Sequence, residues 1–260
     1  MKRNPIWLLL FSVAALAINP ELGFSEVSAA SYSEKYFIDS KSQQISQPKH
    51  GLDKFLPQLS FKQKPILLTF DDGPDDPEID LAILAILKKH SAKSIWFVNC
   101  KHLDPAANSN FQASRDTLKE ITSAGHLIGN HGYHHLNLKN LDRDDPQKMH
   151  QEISECSSYI KNLTGSRPAY FRAPWGERSE NVTNFALEQG MASLYWTVNS
   201  MDMVQSNKSR VIDSVKAYVD NLKIERGDVI LFHDHTSTLR MLDKMLTKLD
   251  SEGFIYVTPG

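Results

Sequence analysis

From Pro65 onward, short apolar runs of strand length alternate with amphipathic stretches of helical period, and that alternation leaves few folds open. Strand-like runs fall at 66–70, 94–98, 126–129, 169–172, 194–198, 229–232 and 254–257. Helical stretches fall between them, at 78–90, 111–124, 146–163, 179–189, 209–222 and 237–249. In the first helix Ile79, Ile83, Ile86 and Leu87 share one face. Gly125, Gly165 and Gly190 stand just past the ends of three others. Strand and helix in turn argue for a parallel α/β sheet, and about seven repeats argue for a closed or nearly closed, TIM-barrel-like arrangement. A doubly wound open sheet is the alternative, but no glycine-rich phosphate loop follows the first strand.

The region before Pro65 reads differently. Lys2 and Arg3 precede a mostly apolar run from Ile6 to Ile18, and small residues follow at Ser28, Ala29 and Ala30. This is the pattern of a secretory signal peptide over residues 1–30, cleaved after Ala30 or, second, after Ala17. An uncleaved membrane anchor is the alternative, although Asn19, Pro20 and Glu21 break the run early for a span. Residues 31–64, rich in Ser, Gln and Lys, read as a linker or wrap, leaving 65–260 as the folded domain. No stable membrane span is expected after cleavage, and export places the chain outside the cell or in the envelope, secreted or periplasmic. A net charge of −2 gives no reason to expect a nucleic-acid partner. Cys100 sits after an apolar strand and Cys156 within a helix, so two separate buried thiols are the expectation over a disulfide.

In barrels of this kind the site forms where strands deliver their C-terminal ends. Those ends carry most of the chain's chemistry: Asp71 and Asp72, then Asn130, His131, His134 and His135, then Arg172 and Trp175, then Asn199 and Asp202, then His233 and Asp234. His131 and His135 are spaced to face one point, and with a carboxylate they suit a divalent metal. The spacing alone is a weak signal, and His134 competes as a ligand. Arg172, elsewhere an ordinary surface ion-pair residue, is placed here to clamp a carboxylate. His233, after the buried run VILF, reads by itself as a core histidine; at a metal-bearing mouth it becomes an acid.

TFDDGP at 69–74, HGYHH at 131–135, FRAPWG at 171–176, WTVNSMDM at 196–203 and LFHD at 231–234 together resemble the five motifs of the polysaccharide deacetylases. This is carbohydrate esterase family four, the NodB-homology domain, and the resemblance runs from about Pro65 to Val257. It implies a distorted (β/α) barrel of about seven strands and removal of N-acetyl, or O-acetyl, groups from a cell-envelope or extracellular polysaccharide. By position it implies Asp71 as base, Asp72, His131 and His135 as metal ligands, and Arg172 as the partner that tunes Asp71. It further implies the Trp175 backbone N–H as oxyanion donor, Leu231 as pocket wall for the acetyl methyl, and His233 as acid. Zn²⁺ is the expected metal, with Co²⁺, Ni²⁺ or Mn²⁺ as alternatives. An inactive carbohydrate-binding relative and a deformylase or cyclic-amide hydrolase are the competing functions.

Three positions depart from the family pattern. Gly132 stands where Ser or Thr usually bonds the loop, with His134 expected to compensate. Asn199 stands where the family usually has the Asp that supports the catalytic histidine, which predicts a lower pKa for His233 than in relatives unless Asp202 or Asp234 supplies the charge. Met203 stands where Trp is usual and alters a pocket wall.

Overall fold

The structure is a computed structural model that describes residues 63–205 and 219–259. The signal-peptide expectation, nearly all of the linker and most of the 209–222 helix lie outside the described residues.

The central strand is β1 (Lys64–Asp72), flanked by β2 (Ser94–Val98) and β7 (Val229–His233), both parallel to it. Its sequence KPILLTFDD is buried almost throughout, because helices cover one face and the barrel interior receives the other. Side chains alternate between those faces. Phe70 stacks on Trp96 and Phe232, its partners on the two neighbouring strands, at ring separations of 4.8 and 5.4 Å. With Ile66 and Leu68, this row packs against α1 (Pro77–Lys89) and α7 (Thr236–Ser251), which supply Ile83, Leu87, Met241 and Leu242. Leu67, on the opposite face, packs with Ile95, Phe97 and Val229. Thr69 and Asp71 continue that inner face, so the period of the strand itself aims Asp71 into the barrel.

The remaining strands are β3 (Leu127–Asn130), β4 (Tyr170–Phe171), β5 (Ala192–Ser193), β6 (Val198–Asn199) and β8 (Phe254–Tyr256). The sheet runs β5-β4-β3-β2-β1-β7-β6, with every neighbouring pair parallel and β8 added to the start of β1. Among the described residues the other helices are α2 (Phe111–Ser123), α3 (Leu138–Asp144), α4 (Pro146–Thr164), α5 (Glu180–Glu188) and the short α6 (Asp202–Gln205), and residues 219–221 are also helical. This is the distorted (β/α) barrel. The strand expected at 194–198 is instead two short ones at opposite ends of the sheet order. Leu194 N–H donates to Phe171 O of β4, whereas Thr197 N–H donates to Val229 O at β7. The chain therefore crosses between the two sheet edges here, and neither edge offers a partner for a continuous strand.

Local signals set the element ends. Asp76 caps α1 by accepting from the N–H groups of Glu78 and Ile79, and Pro77 opens the helix. The acids at the start of the helix have separate tasks: Asp76 is the cap, Glu78 lies in the first turn, where the helix dipole favours negative charge, and Asp75 pairs with His102 at 2.9 Å. Gly165 ends α4 at φ 82°. Contrary to expectation, Cys100 and Cys156 form a disulfide, with Cα atoms 5.4 Å apart. Cys100 opens a 3-10 turn (Cys100–Leu103) beyond β2, and that turn packs against the buried face of α4 that carries Cys156. Strand and helix periodicity describe local faces and hold no information about this long-range juxtaposition.

Candidate active site

Asp72, His131 and His135 each present a ligand atom within 4.8 Å of the others. His135 Nε2 lies 3.1 Å from Asp72 Oδ1 and His131 Nε2 lies 3.5 Å from it. The His131 ring is oriented from behind: Nδ1 sits 2.7 Å from the carbonyl oxygen of Arg172, so it carries the proton and donates. That leaves the Nε2 lone pair aimed at a carboxylate oxygen. Asp72 Oδ1 is buried and receives no geometrically sound hydrogen bond. Acceptors facing acceptors in a buried cluster need a cation between them, so the donor set fits a divalent metal. Asp72, His135, Trp175 and Met201, all at this mouth, are four of the five non-glycine residues with positive φ among the described residues. Such conformations cost about 1–3 kcal/mol each and persist only where surroundings enforce them.

For the histidine loop the enforcing group is Glu152 of α4, which sequence reasoning missed. Its buried carboxylate accepts from the N–H groups of Tyr133 (3.1 Å) and His134 (2.8 Å), and its other oxygen lies 2.6 Å from His134 Nδ1. His134 is thus directed away from the metal cluster, and Glu152 is what compensates for the missing hydroxyl at Gly132. Gly132 adopts φ +80°, which a side chain resists, and its N–H donates to Asn130 Oδ1 at 2.7 Å. Cys156 lies one turn beyond Glu152 on α4, so the disulfide and the loop clamp share a helix face.

Asp71 lies beside the cluster, its Oδ2 3.7 Å from His131 Nε2. Its Oδ1 accepts from Arg172 Nη1 at 2.7 Å, and both side chains are essentially inaccessible. Arg172 is fixed further by Thr69 Oγ1, by the carbonyl of Leu194 and by the face of Phe97, whose centroid is 4.2 Å away. Removing one partner of such a buried pair costs about 3–5 kcal/mol.

Across the mouth, His233 ends β7 with its Nδ1 2.9 Å from Asp202 Oδ1. Asp202 is fully buried and also accepts from the His233 N–H and the Thr238 hydroxyl through Oδ2. Burial lowers the His233 value, but the hydrogen bond and charge of Asp202, helped by Asp71 and Asp72, reverse this and raise it to about 9. Asp202, one of the two residues expected to stand in for position 199, therefore supplies the charge, and the value is raised rather than lowered. Asn199 Oδ1 accepts from the Met201 N–H and shapes the turn out of β6, while Asp202 holds the ring. Asp234 faces elsewhere, behind the Asp72 loop.

The other expected residues line the same opening. Trp175 lies in a 3-10 turn (Pro174–Gly176), 68% exposed, with its indole 4.7 Å from the His135 ring. Leu231 is buried on β7, two residues before His233 and so on the same face. Met201 and Met203 remain partly exposed on the Asp202 side.

Comparison with known proteins agrees with this arrangement. Residues 58–194 match the sequence profile described as polysaccharide deacetylase. A peptidoglycan-N-acetylglucosamine deacetylase of Bacillus cereus is 29% identical over 203 residues, spanning 76% of this chain and 68% of that protein. The Listeria monocytogenes enzyme PgdA is 30% identical over 196 residues, and there the match spans only 38% of the relative. Among solved structures, the peptidoglycan deacetylase PdaC of Bacillus subtilis superposes with a TM-score of 0.62 at 28% identity, covering 77% of this chain and 90% of that one. A pseudoenzyme of carbohydrate esterase family four from Bacillus anthracis superposes at 0.61 and 27% identity, covering 75% of this chain and 63% of that one. The profile match spans more than half of the chain and includes Asp71, Asp72, His131, His135 and Arg172: the chain belongs to the polysaccharide deacetylase family.

Proposed function

We propose that this protein is a metal-dependent hydrolase that removes N-acetyl groups, and O-acetyl groups where they are presented, from a cell-envelope or extracellular polysaccharide. The observation that carries the reading is the pair of differently supported groups flanking the Asp72–His131–His135 cluster: Asp71 paired with Arg172, and His233 paired with Asp202. A hydrolase of an amide needs both a base for water and an acid for a poor leaving group.

Asp72, His131 and His135 would hold the metal, Zn²⁺ first, with Co²⁺, Ni²⁺ or Mn²⁺ as alternatives. Such an ion supplies Lewis acidity, polarising the acetyl carbonyl and making water a stronger acid. The chain's own residues supply the rest. Asp71 takes the proton from the attacking water, its position fixed by Arg172. The backbone N–H of Trp175 donates to the developing oxyanion, from a turn whose geometry is already set. The acetyl methyl lies against Leu231. His233, protonated through neutral pH because of Asp202, gives its proton to the departing sugar nitrogen, and acetate and a free amino sugar result. The exposed Trp175 indole offers the flat apolar surface on which a sugar ring stacks.

Relatives that act on peptidoglycan support an envelope glycan as the substrate class, and with the N-terminal sequence pattern they support export, with residues 65–260 as the catalytic domain. The similarity to a pseudoenzyme favours a second reading, a binder that keeps the pocket without turnover. The two separate in one experiment. Zn²⁺-loaded protein is screened for acetate release on peptidoglycan, chitin oligosaccharides, poly-N-acetylglucosamine and acetylated xylan, with Asp71→Asn as control. Release from a glycan by the wild type, lost in Asp71→Asn, supports the hydrolase. Metal binding with no release from any of these glycans supports the binder.

A further inference from the structure

Behind the loop that carries Asp72 lies a second pair of carboxyl groups to which the hydrolytic reading gives no task. Asp80, in the first turns of α1, is completely buried, and neither of its oxygens has a hydrogen-bond donor. Its carboxyl is within hydrogen-bonding reach of the carboxyl of Asp234, also buried, at the residue after β7. Asp234 touches the metal loop at two points. Its Oδ2 accepts from the Asp75 N–H at 3.3 Å and occupies the space beside Gly73, where a Cβ would meet it at 2.2 Å. Its own N–H points to the Asp71 carbonyl at 3.4 Å.

Two ionised carboxylates cannot bond to one another, and two buried unpaired charges would cost far more than the fold has to spend. One proton between them makes one group a donor to the other and removes one of the two charges. We propose that Asp80 and Asp234 share a single proton, and that this neutral-plus-anion pair is the positioning element that holds the Gly73–Asp75 turn, and hence Asp72, in the geometry that receives the metal. The charged groups bearing on the pair agree with a retained proton. Asp75 and Asp76 act on Asp80, and Asp72 acts on Asp234, all of them acidic. Burial comes first among the causes for both: it pushes Asp80 up to about 8 and Asp234 well above the usual carboxylate range. The proposal rests on the metal reading of Asp72 for the positioning role, but not for the shared proton.

The test uses the full chain and three measurements that do not depend on turnover. Infrared difference spectra of the metal-free protein should show a protonated carboxylic acid C=O band at pH 7 that disappears in Asp80→Asn. Stability should respond with a defined sign. Because burial holds the pair's proton above the ordinary carboxylate range, wild-type stability falls as pH rises from about 4 toward neutral. Asp80→Asn, with a permanent donor, lacks that loss, so its advantage over the wild type should grow across the window. Zn²⁺ affinity by chelator competition should be unchanged in Asp80→Asn and about 10–100-fold weaker in Asp80→Ala, which leaves Asp234 without a donor. If Asp80→Ala does not fold, Asp80→Asn and the infrared band still decide. Absence of the band, or equal loss of Zn²⁺ affinity in Asp80→Asn, would overturn the shared proton. Unchanged affinity in Asp80→Ala would overturn the positioning role, as would a wild type that binds no Zn²⁺.

Discussion

The two sides of the mouth are built differently. The metal side stands on β1, β2 and β3, strands with long continuous registers, and is clamped from behind by Glu152 of α4 and by a disulfide to the same helix. The acid side pairs the end of β7 with Asp202, which follows β6, a strand of two residues. On the first side geometry is set by many independent supports. On the second, one buried carboxylate both orients the imidazole and keeps it charged. Substitutions on the metal side should therefore act through metal occupancy, and those on the acid side through the pH dependence of the chemical step.

The largest effect expected is at the metal ligands. His131→Ala should abolish both Zn²⁺ binding and turnover, and retained stoichiometric Zn²⁺ by calorimetry would break the assignment. Asp71→Asn should keep the metal and lose about 10²–10⁴-fold in kcat/KM. A variant that loses Zn²⁺ instead would mean that Asp71 is a ligand. Glu152→Gln keeps the shape of the clamp but not its charge, and should weaken Zn²⁺ by about 10–100-fold with the acid-side pH profile unmoved.

On the acid side, Asp202→Asn removes the main source of the raised His233 value. An acid is lost as pH rises through its pKa, so the alkaline limb of the rate profile should move from near pH 9 toward lower pH while Zn²⁺ affinity holds. The folding linkage has the same sign. Stability from protonated His233 is fully present below its unfolded value of about 6.5 and is lost as pH rises through about 9. The smallest effect is expected from Asn199→Asp, which should leave the alkaline limb where it is. A shift as large as that of Asp202→Asn, in either direction, would return the supporting role to position 199.

The same contrast explains which parts of the molecule were legible in its sequence. Strand ends, the His131–His135 spacing and the TFDDGP turn are local patterns, and the structure puts their residues where the alternation of strand and helix implies. Glu152 reaches back to Tyr133 and His134 from the next long helix, and nothing in its neighbourhood sets it apart from an ordinary helical glutamate. Asn199 and Asp202 are three residues apart, and only the turn out of β6, held by Asn199 itself, decides which one faces His233. Cys100 and Cys156 meet because of how a turn packs on a helix, 56 residues apart in sequence. Asp80 lies in the first turns of α1 beside acids of ordinary helix-start type, and nothing local marks it as the buried one.

The central claim is that the metal side and the acid side act together on one acetyl group. Its most direct test is a titration of chelator-stripped protein with Zn²⁺, following acetate release from an N-acetylglucosamine oligosaccharide at pH 7. The account predicts no release without metal, a rise that saturates at one equivalent, and no such rise in Asp71→Asn. Release that persists in the stripped protein, or one bound equivalent of Zn²⁺ with no release, would contradict it.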